Sequence, residues 1–95
     1  MRDYELVVII SPEVADEETP AAIEKISRFI TDRGGSITEV NQWGRRKLAY
    51  PIKNFMEGNY VLAHFTMDAQ ATADFEASLG LAEEVLRHLL VRMGE

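Results

Sequence analysis

The residues "YELVVII", Tyr4 to Ile10, constrain the fold of this chain more than any other stretch. After Glu5 the run is apolar at every position and rich in β-branched residues, so both faces of a strand formed here would be apolar. Such a strand belongs inside a sheet, with both faces at least partly covered. Because the chain has 95 residues, 46% of them apolar, we expect a single domain over 1–95 with a modest core around this strand.

A helix and a long extended segment are expected to follow the first strand. Thr19 is a suitable N-cap for the helix, and the glycines at 34–35 are expected to end it. The segment Ser36–Ile52 has the character of extended structure. Since it is much longer than the usual strand of ~5–6 residues, Gly44 is expected to mark a bulge or bend within it.

The second half of the chain offers another strand, another helix and one ambiguous segment. A loop over 53–58 is expected to lead into an antiparallel strand over 59–67, and Asp68 is placed to cap the second helix. The segment 81–93 fits either a helix or a short strand centred on Val85–Val91. Periodicity alone leaves both possibilities open.

If the last segment is a strand, the order of elements is βαββαβ, the ferredoxin-like arrangement of an α+β fold. Two right-handed crossovers then place both helices on one face of a four-stranded antiparallel sheet. The chain offers nothing further to cover the other face, so we expect a bare apolar face of a kind that monomers seldom expose without a partner. The sequence does not fix which parity of the strands faces the helices.

We take Leu6, Val8 and Ile10 as the residues of the first strand that face the helices. The residues on the opposite side of the strands are then the candidate contacts of a protein partner. To these we add Leu48, which lies in the extended segment. The candidate partner contacts are Val7, Ile9, Leu48, Tyr60 and Leu62.

Charge is distributed unevenly along the chain. The formal net charge is −6, yet residues 40–56 carry four cations and no carboxylate, which leaves −10 on the remainder. A positive segment on an acidic chain can direct one surface toward a polyanion. Arg45 and Lys47 take one face of an extended chain, and Arg46 takes the other with Leu48 and Tyr50. Cations on both faces fit poorly beneath a helix, so this part of the hairpin is expected to project beyond the sheet.

Arginine forks suit phosphate oxygens, so this basic segment is a candidate RNA contact, with a simple solvated turn as the alternative. Cations elsewhere could protect a sheet edge instead, and tyrosines could pack rather than stack on bases. The candidate RNA contacts are Arg2, Arg45, Arg46, Lys47, Tyr50, Lys53, Arg87 and Arg92.

Several kinds of site have no support in the sequence. The absence of cysteine removes disulfides and thiolate metal sites. His64 and His88 have no acidic or thiol companions at ligand spacing, and there is no glycine-rich phosphate loop. The N-terminus is not a signal peptide, and no stretch approaches the ~20 apolar residues of a membrane span. We therefore expect a cytoplasmic protein that is not an enzyme and has neither metal nor cofactor.

The segment "GRRKLAYPI", Gly44–Ile52, resembles the signature of the bacterial small-subunit ribosomal protein six family. That signature is a glycine, a short cationic stretch and then L-A-Y-P-I. The resemblance extends to the N-terminal "MRDYE", to Glu57-Gly58 before the third strand and to Val85–Arg92, and so covers essentially the whole chain. One departure is Lys47, where other members often carry a second arginine.

This resemblance implies a ferredoxin-like structural protein of the 30S ribosomal subunit, without catalytic activity or cofactor. It also implies that Val85–Arg92 is the fourth strand. The family pairs with small-subunit ribosomal protein eighteen, and the pair binds the central domain of 16S ribosomal RNA. The resemblance therefore implies the same two partners for this chain.

Two other functions are compatible with the same topology. A stand-alone RNA-recognition module would need basic-glycine-aromatic motifs on its central strands. The segment "EGNYVLAHF" has an acid before the glycine and Asn59 after it, so the match is poor. A small-ligand-binding regulatory domain would be supported by the fold alone, because no nucleophile, base or metal ligands form a recognisable set.

Overall fold

The structure, a computed structural model, describes residues 1–94 and has the element order βαββαβ over that range. Short 3-10 turns at Asp16–Glu18 and Ala69–Ala71 precede the two helices. The strands are β1 (Arg2–Ile10), β2 (Ser36–Ile52), β3 (Phe55–Met67) and β4 (Val85–Arg92), and the helices are α1 (Thr19–Thr31) and α2 (Thr72–Leu81). The ferredoxin-like α+β prediction is confirmed, and the ambiguous last segment is a strand.

The four strands form one antiparallel sheet in the order β2-β3-β1-β4. β1 pairs with β3 along its whole length, from Arg2↔Met67 to Ile10↔Asn59, and with β4 on its other side. The apolar run in β1 is therefore interior, as its composition predicts, while β2 and β4 form the two edges.

The main core lies between the sheet and the two helices. Leu6, Val8 and Ile10 of β1 are buried there with residues of α1 and α2. Phe65 of β3 packs between two rings, with centroids 5.7 Å from Tyr4 and 5.4 Å from Phe75. Burying each such large side chain stabilises the fold by roughly 1.5–3 kcal/mol. The odd-numbered residues of β1 consequently face away from the helices.

Both helices begin differently from the sequence-based expectation. Thr19 is the first residue of α1, not its cap, and its hydroxyl donates a hydrogen bond to the carbonyl of Ala15. The Asp68 carboxylate accepts a hydrogen bond from the N–H of Gln70, so it caps the 3-10 turn and α2 starts only at Thr72. After α1, Gly34 has a φ of +80°, the left-handed conformation expected of a helix-ending glycine.

The β2–β3 hairpin closes in a tighter turn than the sequence suggested. Lys53 and Asn54 both have positive φ, +51° and +71°, and β3 begins at Phe55. The predicted loop over 53–58 is therefore wrong for its last four residues, which pair with β2. A two-residue turn with positive φ matches the twist of a hairpin, and asparagine tolerates this conformation well.

β2 is irregular where a bulge was predicted. Gln42 pairs with Val61 and Gly44 pairs with Tyr60, so Trp43 is an extra residue on β2 between two successive pairs. Gly44 has a φ of +87°. The predicted bulge is confirmed, and a bulge bends its strand and increases the local twist.

The end of the hairpin bends over the helix-free face of the sheet. Leu48 is buried against Ile9 and Leu86, with Ile52 and Phe55 packed beside them. The expectation of an entirely bare face is therefore wrong. The part of that face around Ile9 and Leu86 is covered by the chain's own long hairpin, whose apolar residues are removed from water there.

Candidate nucleic-acid and partner interface

The hairpin beyond the sheet is a basic two-stranded ribbon. Arg45, Arg46 and Lys47 pair in register with residues 57–59, whereas the pairing of β1 with β3 ends at Ile10↔Asn59. Within residues 1–94 no third strand pairs with the ribbon past Asn59, so Arg46 and Lys47 lie beyond the end of β1 as predicted, while Arg45 is level with its last pair. We call this segment, residues 45–58, the basic ribbon.

The cations of the basic ribbon differ in their local partners. Arg45 forms a salt bridge with Asp16, with 3.2 Å between Nη2 and Oδ1. The Arg46 guanidinium lies 5.4 Å from the centroid of the Trp43 ring. Within residues 1–94, Lys47 and Lys53 form no ion pair. Most of the positive charge of the ribbon is therefore free to meet an external anion.

The bend of the hairpin brings Tyr50 to β4. Arg87 donates a hydrogen bond to the Tyr50 hydroxyl, and its guanidinium lies 5.9 Å from the centroid of the same ring. The two residues border a groove of about 310 Å³ on the helix-free face, with Val7 and Leu89 in its lining. Tyr50 remains 54% exposed. Two candidate RNA contacts that are 37 residues apart in the chain are thus neighbours in space.

Arg2 and Arg92 lie at the opposite end of the sheet. Arg2 pairs with Met67, and Arg92 pairs with Tyr4, near the beginning of β1. Arg87 pairs with Ile9, near the end of β1. Seven residues of strand separate Arg2 from Ile9, which is about 23 Å. The eight candidate RNA contacts therefore divide into a cluster at the hairpin end and two arginines distant from it.

An apolar row crosses the open part of the helix-free face. Val7 of β1 pairs with Leu62 of β3 on one side and with Leu89 of β4 on the other. Val7 and Leu62 are partly exposed, and Leu89 is 59% exposed. Residues directly opposite each other in antiparallel strands share a face. We call Leu62, Val7 and Leu89 the apolar row.

The five candidate partner contacts fall into two classes. Val7, Tyr60 and Leu62 are partly exposed on the helix-free face, whereas Ile9 and Leu48 are already buried against each other. The sequence reasoning missed Leu89, because it chose no partner contact from β4. Once β4 is recognised as a strand paired with β1, the alternation of its side chains between the two faces of the sheet indicates Leu89.

A histidine lies between two carboxylates on the same face. His64 Nε2 is 3.1 Å from a Glu5 carboxylate oxygen, and its Nδ1 is 3.2 Å from one of Glu39. Both hydrogen bonds raise the pKa of His64, and the one with Glu5 has the larger effect. The pKa of Glu39 is lowered, first by the hydrogen bond from the Asn41 amide and then by that from His64.

Both histidines have acidic neighbours that spacing in the sequence did not reveal, because these neighbours come from other elements of the fold. Glu5 and Glu39 lie opposite His64 on neighbouring strands, and His88 is 3.1 Å from Glu76 of α2. Within residues 1–94, no group of three or more histidine and acidic side chains could hold a metal ion. In the same range, no helix is both long and apolar enough to cross a membrane.

Replacing His64 by glutamine is expected to change how stability depends on pH. In the unfolded chain the pKa of histidine returns to about 6.5. The contribution of His64 is thus complete below that pH and is lost as pH rises through its raised folded pKa. Glu39 contributes above about pH 4.5 and loses its contribution as pH falls through its lowered pKa.

The contribution of the cluster should therefore be complete between about pH 4.5 and 6.5. Urea unfolding across this range and into alkaline pH measures it as the free-energy difference between wild type and His64→Gln. A difference that stays constant from pH 5 to pH 9 would contradict the assignment.

Comparison with known proteins gives consistent results over the whole chain. The family model of ribosomal protein S6 matches residues 3–92. The small ribosomal subunit protein bS6 of Desulforudis audaxviator is 42% identical over 92 residues, covering 97% of this chain and 98% of that protein. The bS6 protein of Moorella thermoacetica is 39% identical over 95 residues, covering 100% of this chain and 97% of that protein. A crystal structure of 30S ribosomal protein S6 from Thermotoga maritima has a TM-score of 0.91 at 35% identity, covering 97% of this chain and 87% of that chain.

Proposed function

The chain belongs to the ribosomal protein S6 family, and from this premise we propose that it binds the central domain of 16S ribosomal RNA together with small-subunit ribosomal protein eighteen. Membership confirms the resemblance noted at Gly44–Ile52 and makes the chain a protein of the small subunit of the cytoplasmic ribosome. Its relatives are structural ribosomal proteins. We extend that role to this chain and assign it no catalytic activity.

The observation that carries the RNA part of the proposal is the basic ribbon on an otherwise acidic chain. Lys47 and Lys53 are free of ion pairs within residues 1–94, and Arg46 contacts an aromatic ring rather than a carboxylate. Within residues 1–94, Arg45 is paired with the exposed carboxylate of Asp16 and with no other. Because such surface pairs contribute about 0–1 kcal/mol, a phosphate can replace that carboxylate at little cost. Arginine adds a fork geometry that suits phosphate oxygens.

The partner part of the proposal is supported by the apolar row. Val7 lies in the centre of the row, and Leu89 beside it is more than half exposed. Glu5, two residues before Val7 on the same face of β1, and Glu39 add carboxylates to this face. Along β1 the row therefore has carboxylates on one side, around His64, and Arg87 on the other. The acidic side suits a partner that is itself cationic, and a cationic partner would extend the positive surface presented to RNA.

A stand-alone RNA-recognition module is less compatible with the structure. Such a module stacks bases on aromatic side chains in the middle of its central strands. On the helix-free face, the middle positions of β1 and β3 hold Glu5, Val7, Leu62 and His64, and Tyr60 is the one aromatic residue beside them. The middle of the sheet therefore suits a protein contact better than a base-stacking surface.

Replacing Arg45, Arg46 and Lys47 together by alanine tests the proposal. The pair of proteins should bind central-domain RNA more weakly, because each lost phosphate contact removes about 0.7–0.9 from the slope of log affinity against log salt. The slope should therefore fall by up to about 2–3. Filter binding over a range of salt concentrations measures it. The matched control is Lys25→Ala with Arg28→Ala on α1, where both cations are already paired with glutamates. An unchanged slope in the triple variant would remove the basic ribbon from the RNA interface.

A further inference from the structure

Trp43 is an exposed aromatic residue at the base of the basic ribbon. It is the extra residue of the bulge on β2, an edge strand. Its surface is 45% exposed, and it lies outside both buried clusters of residues 1–94. A tryptophan with this much surface in water contributes little to the core, so core packing does not explain it.

The bulge places the Trp43 ring beside a cation. In a regular strand, residues three positions apart point to opposite faces. The extra residue changes this parity, and the Arg46 guanidinium lies 5.4 Å from the ring centroid. The guanidinium lies over the ring and places a positive charge against this flat aromatic surface.

The surface is open beside Gly44, and the segment that carries it has no carboxylate of its own, although Asp16 of another segment pairs with the neighbouring Arg45. A Cβ atom built at Gly44, the residue next to the ring, would meet nothing within 4 Å. No carboxylate occurs between residues 40 and 56. A flat aromatic surface with an adjacent cation is complementary to a nucleobase and its phosphate, because bases stack on aromatic rings and on guanidinium planes.

We propose that Trp43 and Arg46 form a stacking site for one unpaired base of the bound RNA. This inference rests on the RNA-binding function proposed above and adds to it a preference for a single-stranded element. The basic ribbon would then do more than neutralise phosphates, since stacking requires a base that is not held within a duplex.

The fluorescence of the chain reports directly on this site, because Trp43 is its single tryptophan. The probe is the central-domain RNA fragment, added to the pair of proteins with any tryptophan of the partner replaced by phenylalanine. Stacking should quench the Trp43 emission as the fragment saturates the pair. A fully paired RNA duplex of equal length, which offers phosphates but no unpaired base, should leave the emission unchanged.

Substitutions at Trp43 separate stacking from charge. Trp43→Leu should weaken binding by about 5- to 150-fold, the range for losing one stacked base, while leaving the salt slope as in wild type. Trp43→Phe keeps a ring and should retain most of the affinity. Leu81→Ala, at an 84% exposed position on α2, is the control for loss of exposed apolar surface. Since Trp43 lies outside both buried clusters of residues 1–94, Trp43→Leu should unfold at close to the same urea concentration as wild type.

Four results would overturn the inference. Native affinity of Trp43→Leu, or unchanged emission when the RNA fragment is fully bound, would show that the ring does not stack. A change of emission caused by the partner protein alone, with no further change on adding RNA, would assign Trp43 to the protein interface. A wild-type pair that binds no RNA would instead overturn the proposed function, and this inference with it.

Discussion

Replacing Val7 by aspartate is expected to abolish pairing with the partner protein while the chain itself stays folded. Val7 lies in the centre of the apolar row, between Leu62 and Leu89. In the isolated chain its side chain is partly exposed, so a carboxylate there keeps much of its hydration. In the complex the same carboxylate would be buried without a partner, at a cost of about 3–5 kcal/mol. Affinity for the partner should therefore fall by more than about 100-fold, as measured by calorimetric titration.

Two matched variants separate a damaged interface from a damaged fold. Leu89→Asp places the same charge in the apolar row, but on an edge strand and at a position that is 59% exposed in the isolated chain. It should weaken pairing as Val7→Asp does, with a smaller effect on the unfolding midpoint. Leu81→Asp introduces an equivalent charge on α2, away from the helix-free face, and should pair normally. Pairing of Val7→Asp at native affinity would show that the helix-free face is not the interface.

The parts of the fold that local patterns determine could be predicted from the sequence. The apolar run of β1 identified an interior strand, and Gly44 identified the bulge in β2. The bounds of β4 followed from the family resemblance rather than from periodicity. The errors at Thr19 and Asp68 are local, because a 3-10 turn precedes each helix and moves its first residue.

The parts that depend on contacts between distant residues were not predictable in this way. Leu48 covers Ile9 because the long hairpin bends back over the sheet, and neither residue's sequence neighbourhood contains that information. His64 meets Glu5 across 59 positions of sequence, through the register of β1 and β3. Tyr50 meets Arg87 across 37 positions because the hairpin bends toward β4. The sequence therefore identified the candidate residues individually, but only the structure showed which of them lie together.

Alone, this chain is expected to bind RNA weakly, because its charge opposes binding outside the basic ribbon. The ribbon and its neighbours offer a small number of cations, whereas the residues outside 40–56 carry a formal charge of −10. A complex of nanomolar affinity requires about −12 kcal/mol. Non-specific contacts of this kind give dissociation constants of about 10⁻⁴–10⁻⁶ M. A partner docked on the apolar row would add its own cations and form one continuous RNA-binding surface with the ribbon.

Thermodynamic linkage makes this expectation quantitative. If pairing tightens RNA binding by a given factor, RNA must tighten the pairing by the same factor. A specific complex has a dissociation constant of about 10⁻⁸ M or lower, which is at least about 100-fold below that of non-specific binding. Val7→Asp should remove this gain without touching the ribbon, so its RNA affinity with the partner present should equal that of the chain alone.

The most direct measurement is a titration of a central-domain 16S ribosomal RNA fragment with this chain alone, with small-subunit ribosomal protein eighteen alone and with both. A composite interface predicts weak binding by each protein separately. It predicts binding by the pair that is at least about 100-fold tighter than binding by this chain alone, with an equal tightening of protein pairing when RNA is present. Full affinity from this chain by itself, or equal affinity with and without the partner, would contradict it.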